Sequence, residues 1–436
     1  MADAPHTVTT LDAFYKEVYA DNISKLIPDH EMLMKNVPFV KNSQKNGGSY
    51  NQPVILTRDH GISFLGDDST QTLLDAVPAV QKNASVKGAG KVMKTQISNM
   101  AVSRAVQGPR AFVDGVGYAI RSLTESFANK QEASHWYGDN GFGYATAATA
   151  DLASDFLEFA AEDWAPALWI GAEGMPVDIY SVTGALTDLG RTTNALVVDG
   201  TTISKVDMIN RRLYFASVSG MSDGNVYAVC AKDQVGYDST GILEILANSG
   251  SLFGISAATY PLWQANQYSV GSAALNFAKV SDAVSIGMGR GVRGPLKGVV
   301  HSTVFRQLFP DFLTLKDTAP TATNSRNASR RFNSAADVQN VVHGTDGVSF
   351  TINGIKVVFE SSEYLIPRQA CLLDMATLAR VGSSEIRAGS PSVSDDGRAF
   401  FEIESKAVTE FRMFSDQGLF CEAPSRNIIM HGISLS

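Results

Sequence analysis

The sequence predicts an α+β protein. Apolar residues recur at helical spacing in a few segments, short alternating runs are punctuated by Asp-Gly and Asn-Gly turn pairs, and 44% apolar residues in a chain of 436 suffice for sizeable cores. At this length two to four packed units are expected.

Taken in order, Leu11, Phe14, Tyr15, Val18, Tyr19, Ile23 and Leu26 repeat at helical spacing until Pro28, so residues 1–46 read as an arm with an amphipathic helix. From Gly47 the texture changes to alternating runs, Ser49 to Thr57 and Lys91 to Val106, with polar and Gly-containing connections. Residues 47–107 thus read as a long two-stranded excursion with little core of its own. Gly108 and Pro109 open a segment in which Phe112, Val116, Ile120, Leu123 and Phe127 recur every three or four residues until Gly138. This helix, ~40 Å long, is the spine of residues 108–172. Asp199-Gly200 and Asp223-Gly224 are tight-turn signals between β-rich runs and make 173–240 a small inserted β-unit. In 241–385 a helix from Ser272 to Met288 precedes an apolar strand, Gly298 to Val304, and a short helix from Phe305 to Phe309. Residues 317–334 have loop composition, and Asn353-Gly354 joins Val348 to Ile352 with Ile355 to Phe359. In 386–436, Asp396-Gly397 precedes a run from Arg398 to Glu404, and further strands close the chain.

Composition excludes several functions. Charged residues are only 18% of the chain, low for a soluble domain and consistent with surface hidden in partners. The net charge of -8 argues against a dedicated nucleic-acid binder. Cys230, Cys371 and Cys421 are far apart and form no C-x-x-C pair, so a disulfide framework and a thiolate metal site are not indicated and a reducing compartment fits best. The first residues lack the charge and apolar pattern of a secretory signal, which makes synthesis in a cytoplasm the default. No charge occurs from Ile245 to Ala278, yet Asn248, Gln264, Asn266 and Gln267 make it a buried or interface segment, not a membrane span.

Gly220-Met221-Ser222-Asp223-Gly224 has the spacing of a nucleophile elbow, but that device needs a helix after the serine and here a strand follows. A hairpin turn is the simpler reading. Gly289-Arg290-Gly291-Val292-Arg293-Gly294 matches a dinucleotide fingerprint in the wrong order, with helix before and strand after, and reads as a helix end. The seven histidines, His6, His30, His60, His135, His301, His343 and His431, are scattered singly. No catalytic residue, cofactor or metal site emerges. Charge is distributed unevenly: from Gln131 to Gly190 there are ten acidic residues and no lysine or arginine. Asp151, Asp155, Glu158 and Glu162 fall on one helical stripe, where like charges repel. Such a stripe faces either solvent or cations; arginines of another subunit, with Arg290, Arg293, Arg326, Arg330 and Arg331 as candidates, are one source, and a metal or acid/base site without histidine is a remoter one.

The order of pieces resembles the major capsid protein of tailed bacteriophages, with its Hong Kong 97-type fold. The residues that carry the resemblance are Tyr137-Gly138-Asp139-Asn140-Gly141-Phe142-Gly143 at the end of the long helix, and Leu252-Phe253-Gly254-Ile255 leading to Tyr260-Pro261-Leu262-Trp263 and the helix ending at Arg290-Gly291. Phe411-Arg412-Met413-Phe414-Ser415-Asp416-Gln417 with Glu422-Ala423-Pro424 is similar to the family's closing strands. The resemblance covers most of the chain and is weakest over 173–240. It implies an N-terminal arm, an extended β-loop, a spine helix, and peripheral and axial domains, the axial one in 241–385. It also implies a structural subunit that forms hexamers and pentamers of itself and closes an icosahedral shell. The implied partners are scaffolding, portal and decoration proteins and packaged double-stranded DNA on the inner face, in a virion, without membrane or cofactor. Two other classes stay open, a decoration or host-binding protein and, least of all, a serine hydrolase using Ser222.

Overall fold

The computed structural model describes residues 32–40, 49–65, 67, 72–98, 115–184, 189, 192–308, 348–389, 400–403 and 407–435. The expected helix over Leu11 to Leu26, the segment 317–334 and the Asp396-Gly397 pair lie outside them. The chain divides into a smaller unit that takes in Met93–Ser126 and Ala388–Met413 and a larger one that takes in His30–Val92, Phe127–Arg387 and Phe414–Ser436.

In the larger unit, one six-stranded sheet has the order Asn266–Ala273, Ile428–Ile433, Gln369–Leu373, Leu296–Val300, Ile355–Ser361, Val348–Ile352. Gln369–Leu373 is buried along its whole length, as a strand covered on both faces must be. The Asn353-Gly354 hairpin forms as its turn residues demand: both have positive φ, 48° and 84°, and Ile352 pairs with Ile355. The helix Phe277–Met288 buries Val280, Ala283 and Val284 in a core that also holds Val300, Phe359 and Ile428. It starts five residues later than the periodicity implies, because Ser272 still belongs to a strand and the Asn276 side chain accepts the Lys279 N–H as the cap. The strand expected to reach Val304 stops at Val300, and residues 302–308 are helical.

A second six-stranded sheet has the order Gly143–Thr146, Val226–Ala231, Pro176–Thr183, Thr192–Asp207, Arg212–Phe215, Phe156–Glu158. The β-rich stretch 173–240 is therefore not a sheet on its own: strands from before it close both edges. Asp199-Gly200 makes no turn, since the strand Thr192–Asp207 runs straight through it. Gly200 takes a φ of 63° at a register shift, and its N–H donates to the buried Asp178 carboxylate at 2.8 Å, so the pair is spent on a bulge. Trp136, Phe159, Trp164 and Trp169 share one core with Ile179 of this sheet.

The excursion also pairs differently from the expectation. Tyr50–Ile55 is antiparallel to Gln81–Val86, a polar segment that carries no strand signal, and the strand Ala89–Ser98 pairs instead with Val408–Cys421. Tyr50 lies edge-on to Phe420, with ring centroids 5.5 Å apart, and Ala84 and Val86 are buried. The base of the excursion thus belongs to the core. In the smaller unit, Phe400–Glu402 pairs antiparallel with Thr409–Phe411. Glu410 there accepts from Gln96 at 2.9 Å and from Arg412, which hold its carboxyl down at about 2.

Candidate functional site

The long helix, Gly115–Tyr137, ends where the motif requires: Gly138 is left-handed, with φ 64°, and its N–H closes the last turn on Ser134 O at 2.7 Å. Its final turns carry buried polar groups. Glu132 accepts the N–H groups of Met32, Leu33 and Met34 at 3.1, 2.7 and 2.8 Å and the Trp136 indole N–H at 3.0 Å. Lys91 reaches Ser134 and forms an ion pair with Asp238 at 2.8 Å. His135 is fully buried beside Lys91 and Arg380, and desolvation with those two cations pushes its pKa down to about 3, so the ring is neutral. None of these residues was singled out from the sequence beyond their presence in the acidic stretch or among the histidines.

The other motif residues act within the chain. Leu252-Phe253-Gly254-Ile255 is a two-residue hairpin with Phe253 and Gly254 at φ 53° and 83°, and Trp263 is buried with its indole N–H donated to Leu252 O at 2.9 Å. Arg290, just past the helix end, donates to Pro261 O, to Gln264 O at 3.1 Å and to Ala265 O at 3.4 Å. It holds the two halves of the motif together through these bonds inside the chain. Arg293 is exposed, and Arg326, Arg330 and Arg331 lie outside the described residues. The nucleophile-elbow match is a loop between the strands Arg212–Phe215 and Val226–Ala231, and the Ser222 N–H donates to the Tyr227 hydroxyl at 2.7 Å.

The acidic stripe does not exist as a helical face. α-Helix covers Thr149–Leu152 and a separate 3-10 turn covers Ala161–Asp163, but between them Asp155 is left-handed, with φ 53°, and Phe156–Glu158 is a strand. The three- and four-residue spacing is a coincidence of period, broken because Phe156 and Leu157 are drawn into the sheet edge opposite Tyr214 and Leu213. Glu158 is bound by Arg212 of its own chain at 2.7 Å, and Arg368 grips Asp163 with two hydrogen bonds, at 3.0 and 2.8 Å, beside Glu162. Asp151 is half-buried and Asp155 exposed.

Among the described residues, two features stand apart from the core. The loop between Ile55 and Gln81, pinched by one bridge at His60 and Val77, exposes Ile62 at 71%, Phe64 at 81% and Leu74 at 66%, with Leu65 and Leu73 beside them. Large apolar side chains exposed in this way suit a contact surface. The second is a cavity of about 420 Å³ that includes Asp139, Glu244, Asn248 and Gln369. Asp139 and Glu244 both line it, and burial with the neighbouring Asp139 charge pushes Glu244 up to about 8. Glu244 Oε2, Gln369 Oε1 and Asn248 Nδ2 have no partner among the described residues.

No family model and no curated protein matches the chain. Among solved structures, the capsid asymmetric unit of cyanophage A-1(L) is similar at 12% identity with a TM-score of 0.57, over 98% of this chain and 100% of that one. The capsid of the native GTA particle aligns at 10% identity and a TM-score of 0.49 over 99% of this chain and 100% of that one, and that of Mycobacterium phage Bobi at 9% and 0.47 over 98% and 99%. At such identity the first likeness is one of fold. The fold is that of phage shell subunits, the Hong Kong 97-type fold that the motifs resemble.

Proposed function

We propose that the chain is a major capsid protein, a structural subunit without turnover that assembles through hexamers and pentamers into an icosahedral shell around phage DNA. The observation that carries this reading is the match of nearly the whole chain to a cyanophage capsid subunit. The exposed apolar loop supports it, since a patch including Ile62, Phe64 and Leu74 is costly in water and is covered when laid on another copy. Heterologous contacts that close into rings build such a shell without an active site. Scaffolding, portal and decoration proteins and the inner-face DNA complete the set of partners, and the virion is the location. Exposed Asp155 and Arg293, with half-buried Asp151 and Glu162, remain candidates for contacts between copies. Glu158 and Arg290 take part only if their bonds within the chain open. Electron microscopy of purified protein, with and without scaffold, tests the reading: rings or closed shells are expected, and a protein that stays monomeric at high concentration under all conditions contradicts it.

A further inference from the structure

The cavity beyond the end of the long helix has the features of a cation site that the chain itself does not fill. Asp139 follows the helix terminus, and Glu244 sits on the short helix Ile242–Ala247, 105 positions later in the sequence. Two neighbouring buried carboxyl groups repel unless a proton or a cation lies between them, and the negative charge left on the pair when one proton is shared still attracts a cation. Neither has a lysine, arginine or histidine partner among the described residues. An independent sign comes from the opposite side of the fold's sequence: Gln369, only 6% exposed, lines the same cavity, and its Oε1 has no donor. Glu244 Oε2 is likewise an acceptor without a donor. Buried acceptors left in this way cost free energy, and a ligand that brings N–H donors recovers it.

The remaining wall says which cation. Tyr137 and Tyr144 contribute aromatic rings, and Leu243, Leu252 and Ile366 contribute aliphatic surface. Such walls suit an alkyl chain, and aromatic faces attract an ammonium head. A volume of about 420 Å³ fits a small organic group and is far larger than a bare metal ion needs. Among the described residues no three His, Cys, Asp or Glu side chains converge, so the six to eight oxygens of a divalent cage are not assembled. An ammonium has three donors and needs only three acceptors.

We propose that this cavity binds an alkylammonium group, with the Asp139–Glu244 pair and Gln369 Oε1 as its acceptors. The group is either the end of a free aliphatic diamine or the lysine side chain of a second copy of this chain. The second source rests on the shell reading; the binding chemistry does not.

The test is calorimetric titration of full-length, unassembled protein with 1,4-diaminobutane at fixed ionic strength, with 1,4-butanediol as the uncharged control. Saturable binding of one diamine per chain is expected, with none for the diol. Asp139→Asn and Glu244→Gln should each weaken it at least tenfold while keeping wild-type circular dichroism. The same titration on assembled shells separates the sources: binding that persists assigns a free amine, and binding that disappears on assembly assigns a neighbour's lysine. No saturable binding to the wild type, equal binding by both variants, or saturable binding of magnesium chloride in place of the diamine overturns the proposal. Failure of the protein to form shells leaves the titration on free protein interpretable, so the two readings fail separately.

Discussion

Gly138 and Gly241 approach so closely that neither position has room for a Cβ. A methyl on Gly138 would sit 2.6 Å from Ser239 O, and one on Gly241 2.8 Å from Trp136 O. Gly138 also has a left-handed backbone that other residues adopt at a cost of about 1–2 kcal/mol, to which overpacking adds about 1–3 kcal/mol. Gly138→Ala is therefore expected to lower stability by about 3 kcal/mol or more in a chemical denaturation experiment. Gly224→Ala, with φ 76° and open space around it, is the control and should cost only the left-handed strain of about 1–2 kcal/mol. Glu244 supplies a pH-dependent test at the same scale. Its folded pKa is raised, from 4.5 to about 8, so the folded state holds the proton more tightly than the unfolded one. Its contribution to stability is full below about 4.5 and is lost as pH rises through about 8. Glu244→Gln should thus gain on the wild type steadily between pH 5 and pH 8, read as the difference between their melting temperatures. Taking the difference removes His135, whose lowered pKa acts in the opposite sense.

At the scale of elements, one carboxylate ties a short segment to the long helix. Glu132 supplies the acceptors for three consecutive backbone N–H groups at the start of the helix Leu33–Asn36 and for the Trp136 indole. A one-turn helix has little stability of its own, so its place depends on that side chain. Glu132→Ala leaves four donors without their partner and is expected to cost about 3–5 kcal/mol, the range seen when a buried charged network loses a member. Trypsin cleavage after Lys35 should become severalfold faster in native buffer; an unchanged rate would mean that apolar packing of Leu33 alone holds the segment. Arg290 works in the same way at the end of the helix Phe277–Met288, where its guanidinium gathers three carbonyls of the Pro261–Trp263 turn and the residues after it.

At the scale of the molecule, the loop carrying Phe64 and Leu74 contributes little to its own chain's core and much to its exposed apolar surface. Phe64→Asp and Leu74→Asp are accordingly expected to change the unfolding free energy of the free subunit by less than about 0.5 kcal/mol, as exposed substitutions do. Both should abolish or strongly reduce shells counted by electron microscopy. Loss of subunit stability instead of assembly would place the loop in the chain's own core.

The α+β class and the features set by local turn chemistry are legible in the residues alone. The Asn353-Gly354 hairpin, the long helix ending at Gly138 and the end of the helix Phe277–Met288, followed by Gly291 with φ 107°, reflect where the chain places residues that tolerate positive φ. Which segments pair depends on packing between elements distant in the chain. Gln81–Val86 has a polar composition and becomes a strand because Tyr50–Ile55 lies opposite it and Ala84 and Val86 are buried. Asp199-Gly200 satisfies the local rule for a turn, but the continuing strand pairing and the Asp178 carboxylate make it a bulge. The apparent acidic stripe failed because the left-handed Asp155 and the sheet edge at Phe156 override helical spacing. The Asp139–Glu244 pair left no sequence signal, since periodicity sees neighbours within a few residues and these two meet only after the end of one helix and the start of another have packed together.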